Sequence, residues 1–197
     1  MVDHRQRRDE LIDVVWRLIV EDGLAGITIR RVAERSGWSS GAVRHYLPTR
    51  EAILDAAAQR VAELIEERIK AVDASAPPLD ALVAVLAAVL PTDEQIQRAS
   101  LVWLAFVGQA ASDAGLADAQ GILYRDLNQL LVELLTMLAA MGFQVDGGPA
   151  SAAVELQAML DGLTVHVLLG RVDADAAQEV LRAAVNRLLT RPPEADG

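Results

Sequence analysis

The sequence predicts an all-α protein of about nine helices, and three observations carry that prediction. Alanine, valine and leucine dominate, while aromatic residues make up only 4% of the chain, too few for the aromatic and β-branched alternation that strands favour. Apolar residues recur at three- and four-residue spacing through most segments. Glycines and prolines that form turns gather in a handful of places. At 197 residues the polypeptide is long enough for one or two small domains with a sizeable core.

The elements follow in order. A first helix is expected from about Arg5 to Glu21, with Leu11, Val15, Leu18 and Ile12, Trp16, Ile19 merging into one broad apolar stripe. Gly23 ends it, and Leu24–Ile27 makes a short connection. Thr28 caps a second helix that turns Ile29, Val32 and Ala33 inward, and Ser36-Gly37 stops it. Ser39 or Ser40 caps a third, short helix from Gly41 to about Leu47, which Pro48 breaks. Thr49 caps a long fourth helix striped by Ile53, Leu54, Ala57, Val61, Leu64, Ile65 and Ile69. Asp73–Pro78, with its Pro-Pro pair, is the clear linker. Beyond it, helices are expected at about Leu79–Leu90, Asp93–Ser112, Leu116–Met141, Ala150–Gly170 and Asp173–Thr190, followed by a frayed tail from Arg191 to Gly197.

Several functions are excluded by what the chain does not contain. It has no cysteine, so disulfides, thiolate catalysis and cysteine-ligated zinc are ruled out. Its three histidines (His4, His45, His166) are scattered along the sequence. There is no GxSxG, no GxGxxG and no His/Glu spacing suited to a metal, so no enzyme, cofactor or metal site is expected. The charged start, MVDHRQRRDELID, lacks the apolar centre of a signal peptide. The longest nearly uncharged apolar runs, Ala81–Leu90 and Ala99–Ala111, fall short of the ~20 residues that span a bilayer. A soluble, cytoplasmic protein is expected.

Charge is unevenly divided. Residues 1–60 hold ten arginines against nine acids, whereas residues 61–197 hold eight basic and nineteen acidic side chains. Between Thr28 and Arg50, five arginines (Arg30, Arg31, Arg35, Arg44, Arg50) face one acid, Glu34. A compact basic helix-turn-helix on a molecule of net charge −10 points to a DNA phosphate backbone as partner. The small residues Ser39, Ser40, Gly41 and Ala42 let the start of the third helix press into a major groove. Arg44 reaches a phosphate or a guanine edge, and His45 and Tyr46 offer short donors near the backbone. Arg50 is expected to clamp a further phosphate. Trp16 and Trp38 are read as core, and Arg31 and Arg35 as solvated or paired with Glu34.

The stretch TIRRVAERSGWSSGAVRHYLPTREAIL resembles the helix-turn-helix motif of the TetR family of transcriptional regulators, and the likeness covers about residues 8–55. It implies DNA contacts at Thr28, Arg30, Ser39, Ser40, Gly41, Ala42, Arg44, His45, Tyr46 and Arg50. Three positions depart from the pattern: Trp38 stands where valine or isoleucine is usual, Leu47 where phenylalanine is usual, and Arg44 where tyrosine is frequent. The segment LDGLTVHVLLGR is similar to the C-terminal region of the betaine-regulator-like branch. The resemblance implies a DNA-binding domain at 1–50, a connecting fourth helix at 50–71, and a ligand-binding and dimerisation domain at 72–197.

The C-terminal helices fit that division. The helix expected at Ala150–Gly170 is apolar on nearly every side, and the one after it carries a strong apolar stripe. Pairing with their symmetry mates as a four-helix bundle is expected to bury Val154, Leu163, Val167, Val180, Leu181, Ala184, Val185 and Leu188. Two recognition helices ~34–36 Å apart then match successive major grooves of a near-palindromic site. A ligand pocket is expected among Trp103, Phe106, Val107 and Tyr124, with Met159 and His166 nearby, apolar with a few polar handles. The expected function is a homodimeric repressor released from its operator by a small, largely apolar effector. An activator of the same fold, or a helical interaction module without DNA binding, are the alternatives.

Overall fold

Nine α-helices account for nearly all of the residues described in the structure, a computed structural model that covers residues 4–73, 75–110 and 114–191, with side chains except those of Arg5 and 114–123. They are α1 (His4–Asp22), α2 (Ile29–Ser36), α3 (Ser40–Tyr46), α4 (Arg50–Lys70), α5 (Pro78–Val89), α6 (Glu94–Ala110), α7 (Ala114–Ala140), α8 (Pro149–Leu168) and α9 (Ala174–Leu188). The tail expected to fray lies, after Arg191, outside the described residues. The chain packs as two compact units, Met1–Leu64 with Gln97–Ile122, and Ile65–Ile96 with Leu123–Gly197.

In the first unit the stripe of α1 is buried as its spacing requires, with Leu11, Val15, Leu18 and Ile19 withdrawn from solvent. A buried indole needs a partner for its N–H, and Trp16 donates to the Ala57 carbonyl of α4 at 3.1 Å. The short helices start where hydroxyls cap them. Thr28 accepts from the Arg31 amide, Ser39 from the Ala42 amide and Thr49 from the Ala52 amide, each at 3.1 Å. Between α2 and α3 the chain reverses at Gly37, whose φ of 74° and ψ of 11° lie in the left-handed region that glycine enters without steric cost.

In the second unit, α5, α7, α8 and α9 share one core that includes Leu82, Leu86, Leu131, Leu135, Leu160 and Leu181. Arg68, in the last turn of α4, donates to the Ala88 carbonyl at 2.8 Å and to the Asp93 carboxylate at 2.7 Å. Asp93 also accepts from the Gln95 and Ile96 amides at the start of α6. The Ile96 amide, ahead of Arg68, holds its carboxyl below the usual value. The buried Gln157 of α8 is satisfied by Asn128 of α7 at 2.9 Å and by the Tyr124 carbonyl at 3.2 Å.

One element departs from expectation. Helix α9 stops at Leu188, short of the expected Thr190, and Leu189–Thr190 (β2) pairs antiparallel with Gln144–Val145 (β1). The Asp146 amide donates to the Leu188 carbonyl at 2.9 Å. Backbone groups that a helix end leaves without partners are thus satisfied by a segment more than forty residues earlier, a pairing that three-to-four-residue spacing cannot foreshadow.

Asp161 of α8 is half-buried, and desolvation pushes its carboxyl up from 3.8 to about 6. The stabilising contribution of the protonated acid is complete below pH 3.8 and is lost as pH rises through about 6. Asp161→Asn is therefore expected to raise stability at pH 7.5 by about 1 kcal/mol, discounted for partial exposure. Denaturant titrations should show that gain shrinking as pH falls from 6 toward 4.

Candidate nucleic-acid interface

Helix α3 buries Val43 and leaves Arg44 and His45 exposed, with Tyr46 half-buried beside them. Seven residues make only two turns, so one apolar anchor suffices to seat the helix and its other faces stay available. Gly41 has helical backbone, and a Cβ placed there would meet only the Ser39 Oγ, at an ordinary 3.9 Å. Folding does not require glycine at this position.

Five arginines make the motif basic, and the structure distributes them unequally. Arg30 pairs with Glu34 at 2.8 Å, while Arg31 and Arg35 reach back to Asp22 and Glu21 at the end of α1. Arg31 and Arg35, expected to be solvated or paired with Glu34, are exposed as expected, but their acids are Asp22 and Glu21. They lie within reach of the acids that close α1, and Arg30 is the residue one turn before Glu34. Hydrogen bonds to Glu34 and Asp22 hold the Arg30 and Arg31 guanidiniums above their ordinary value, so both stay cationic. Arg44 has no partner among the described residues.

Arg50 has a structural task that the motif does not announce. Its Nη2 donates to the Leu24 carbonyl at 2.9 Å and its Nε to the Ile27 carbonyl at 3.2 Å. The side chain expected to clamp a phosphate also closes the 3-10 turn Leu24–Gly26 that leads into α2, because carbonyls at the end of such a turn attract a nearby charged donor.

The indole expected in the core is not there. Trp38 is half-buried, edge-on to Tyr46 at 5.6 Å between ring centres, with the Arg7 guanidinium 5.5 Å above its face. It follows the left-handed Gly37, which aims it at the first turns of α1. Thr28 and Ser39 are exposed and spend one lone pair on capping, which leaves their hydroxyl protons to donate. Ser40 and Ala42 are partly exposed on the first turn of α3.

The expected ligand and dimer residues fare unevenly. Phe106 is fully buried in α6 and Trp103 and Val107 are half-buried, all within the first unit. Tyr124, Met159 and His166 belong to the second unit, where Tyr124 is exposed, Met159 packs on the core and His166 is exposed. Of the eight residues expected at a dimer seam, Leu163, Leu181, Ala184, Val185 and Leu188 are buried in the chain's own core, and Val167 packs against it. Helix α9 spends its stripe on α5 and α8 of the same chain. Val154 and Val180 remain exposed, at 50% and 45%.

The comparisons with known proteins accord with this architecture. Residues 11–57 match the family model for bacterial regulatory proteins of the tetR family, and residues 78–190 match that for the C-terminal part of BetI-type transcriptional repressors. The chain is 31% identical over 196 residues to the HTH-type transcriptional regulator PksA of Bacillus subtilis (strain 168), covering 95% of this chain and 92% of that protein. It is 31% identical over 191 residues to the HTH-type transcriptional regulator BetI of Burkholderia ambifaria (strain MC40-6), covering 93% and 94%. A TetR transcription regulator from Haloarcula marismortui shares the fold at a TM-score of 0.80 and 20% identity, over 94% of this chain and all of that one. So does a regulator from Saccharomonospora viridis solved in complex with choline, at 0.82 and 22%, over 95% and 100%. These relatives are transcriptional regulators, not enzymes.

Two substitutions separate folding from binding. Arg50→Ala is expected to cost about 2 kcal/mol of stability in chemical denaturation, the loss of two charge-assisted hydrogen bonds. Gly41→Ala should keep or raise the thermal midpoint, since alanine favours helix, while weakening binding to an upstream duplex by about tenfold or more in a gel shift.

Proposed function

This chain belongs to the TetR family of bacterial transcriptional regulators, and we propose that it acts as a cytoplasmic homodimeric repressor released from its operator by a small molecule. Members of the family bind operator DNA and small-molecule effectors and act as dimers. The observation that carries the DNA-binding half is the outward face of α3, where Arg44, His45 and a glycine without a folding role stand together. Thr28, Ser39, Ser40, Gly41, Ala42, Arg44, His45 and Tyr46 form the proposed contact surface. Arg30 joins it by exchanging Glu34 for a phosphate, because an exposed ion pair is weak in water.

The dimer seam we assign differs from a seam of α9 stripes. On α8 and its C-cap, Val154, Ala158, Gly162 and Leu169 are exposed at spacings of four, four and seven residues, and on α9 Val180 lies outward. Small residues between larger apolar ones allow two helices to approach closely. A two-fold pair of such faces presents twin copies of α3 to a near-palindromic site.

A match to the BetI-type repressor region over residues 78–190 supports repression. The proposed effector is a small, largely apolar molecule. Choline, held by the Saccharomonospora viridis regulator of the same fold, is the first to test, its cation being sheathed in methyl groups. Binding releases DNA only to the extent that the effector prefers the arrangement that does not fit the operator.

Two measurements check this reading. Binding to DNA upstream of its own coding sequence should weaken steeply as salt rises, and a protein indifferent to that DNA at low salt would sink it. Val180→Glu should leave the thermal midpoint nearly unchanged, shift sedimentation from dimer to monomer and weaken operator binding by about a hundredfold.

A further inference from the structure

His4, the first residue of α1, is exposed and sits on the reading helix. Its ring lies 4.5 Å from that of Tyr46, tilted by 41°, and 5.9 Å from that of His45, edge to face. His45 itself stands edge-on to Tyr46 at 5.0 Å, and Trp38 meets the same Tyr46 ring at 5.6 Å. Tyr46 is therefore held by three rings, one of which comes from α1. The two histidines farthest toward the amino end of the sequence form one exposed pair.

The charged neighbours on the two helices are Arg7, Arg8 and Glu10 on α1 and Arg44 on α3. On α1, Arg7 lies over Trp38 and bonds Glu10 at 3.4 Å, while Arg8 reaches the Gln59 amide oxygen at 3.5 Å. On α3, Arg44 precedes His45 and Tyr46 follows it. Among the described residues no carboxylate forms an ion pair with either imidazole. An imidazole with no acid of its own finds its counter-ion in whatever anion approaches.

We propose that His4 belongs to the DNA-contacting surface. It fixes Tyr46 through ring contact and, once protonated, donates to a backbone phosphate beside His45. This rests on α3 facing DNA, and the experiment separates the two claims. Binding of a duplex of about 40 base pairs from upstream of the coding sequence is measured at pH 6, 7 and 8 at constant ionic strength. Wild type is compared with His4→Phe, His4→Ala and His45→Gln, with thermal unfolding as the check on folding.

The wild-type Kd is expected to rise about tenfold from pH 6 to 8. His4→Phe keeps a ring against Tyr46 but carries no proton. It should bind within about twofold of wild type at pH 8, about fivefold more weakly at pH 6, and with a salt slope at pH 6 reduced by up to about one. His4→Ala, lacking the ring as well, should also weaken binding at pH 8, and His45→Gln should flatten the pH profile as His4→Phe does. A wild-type profile flat from pH 6 to 8, or a His4→Phe profile superimposed on that of wild type, would overturn the proposal while leaving α3 as the reading helix. Absence of salt-dependent binding by the wild type at every pH would overturn both.

Discussion

Helix ends leave backbone carbonyls without partners, and in this protein the two ends of α4 answer for turns elsewhere in the chain. Arg50, its first residue, bonds the carbonyls of Leu24 and Ile27, and Arg68, in its last turn, bonds the carbonyl of Ala88 and the Asp93 carboxylate. Each tie acts within its own unit. The first has consequences for reading DNA. It holds the turn from which Thr28 starts α2, and α2 leads through Gly37 into α3. A charged donor on a carbonyl is stronger than a neutral one, and both partners suffer if it is broken. The position of α3 therefore depends on a residue that the motif alone would assign to the phosphate backbone.

The same economy governs the other arginines. Basic residues concentrated in the motif suggest a surface of free positive charge, yet three of them are paired with acids in the folded chain. Those acids lie at the end of α1 or one helical turn away, and exposed pairs of this kind are held loosely because water competes for both partners. DNA phosphates offer a denser run of negative charge than any of them. The acids thus neutralise part of the surface of the free protein, and the proposed contact of Arg30 requires it to leave Glu34. Arg44 is exposed and has no partner among the described residues.

In the second unit, apolar pattern and partner choice come apart. The stripe of α9 and the all-round apolarity of α8 both mark burial, but they do not say in which chain. Leu181, Ala184, Val185 and Leu188 are consumed by α5 and α8, leaving Val154, Ala158 and Gly162 outward on α8. Periodicity identifies which side of a helix avoids water. The helices available to cover that side are a property of the packed chain.

What the amino-acid sequence determined by itself was local. Hydroxyl caps at Thr28, Ser39 and Thr49, the left-handed glycine at position 37 and the apolar spacing of α1 and α4 place the helices within a residue or two, because caps and turns act over only a few residues. The helix-turn-helix motif was readable for the same reason. Tertiary structure alone decided the partners: Arg50 on carbonyls more than twenty residues away, Trp38 half-buried under Arg7, β1 against β2, and His4 on Tyr46. Each joins groups distant in sequence, and which distant groups meet depends on how every helix packs at once, a constraint that no local window of residues contains.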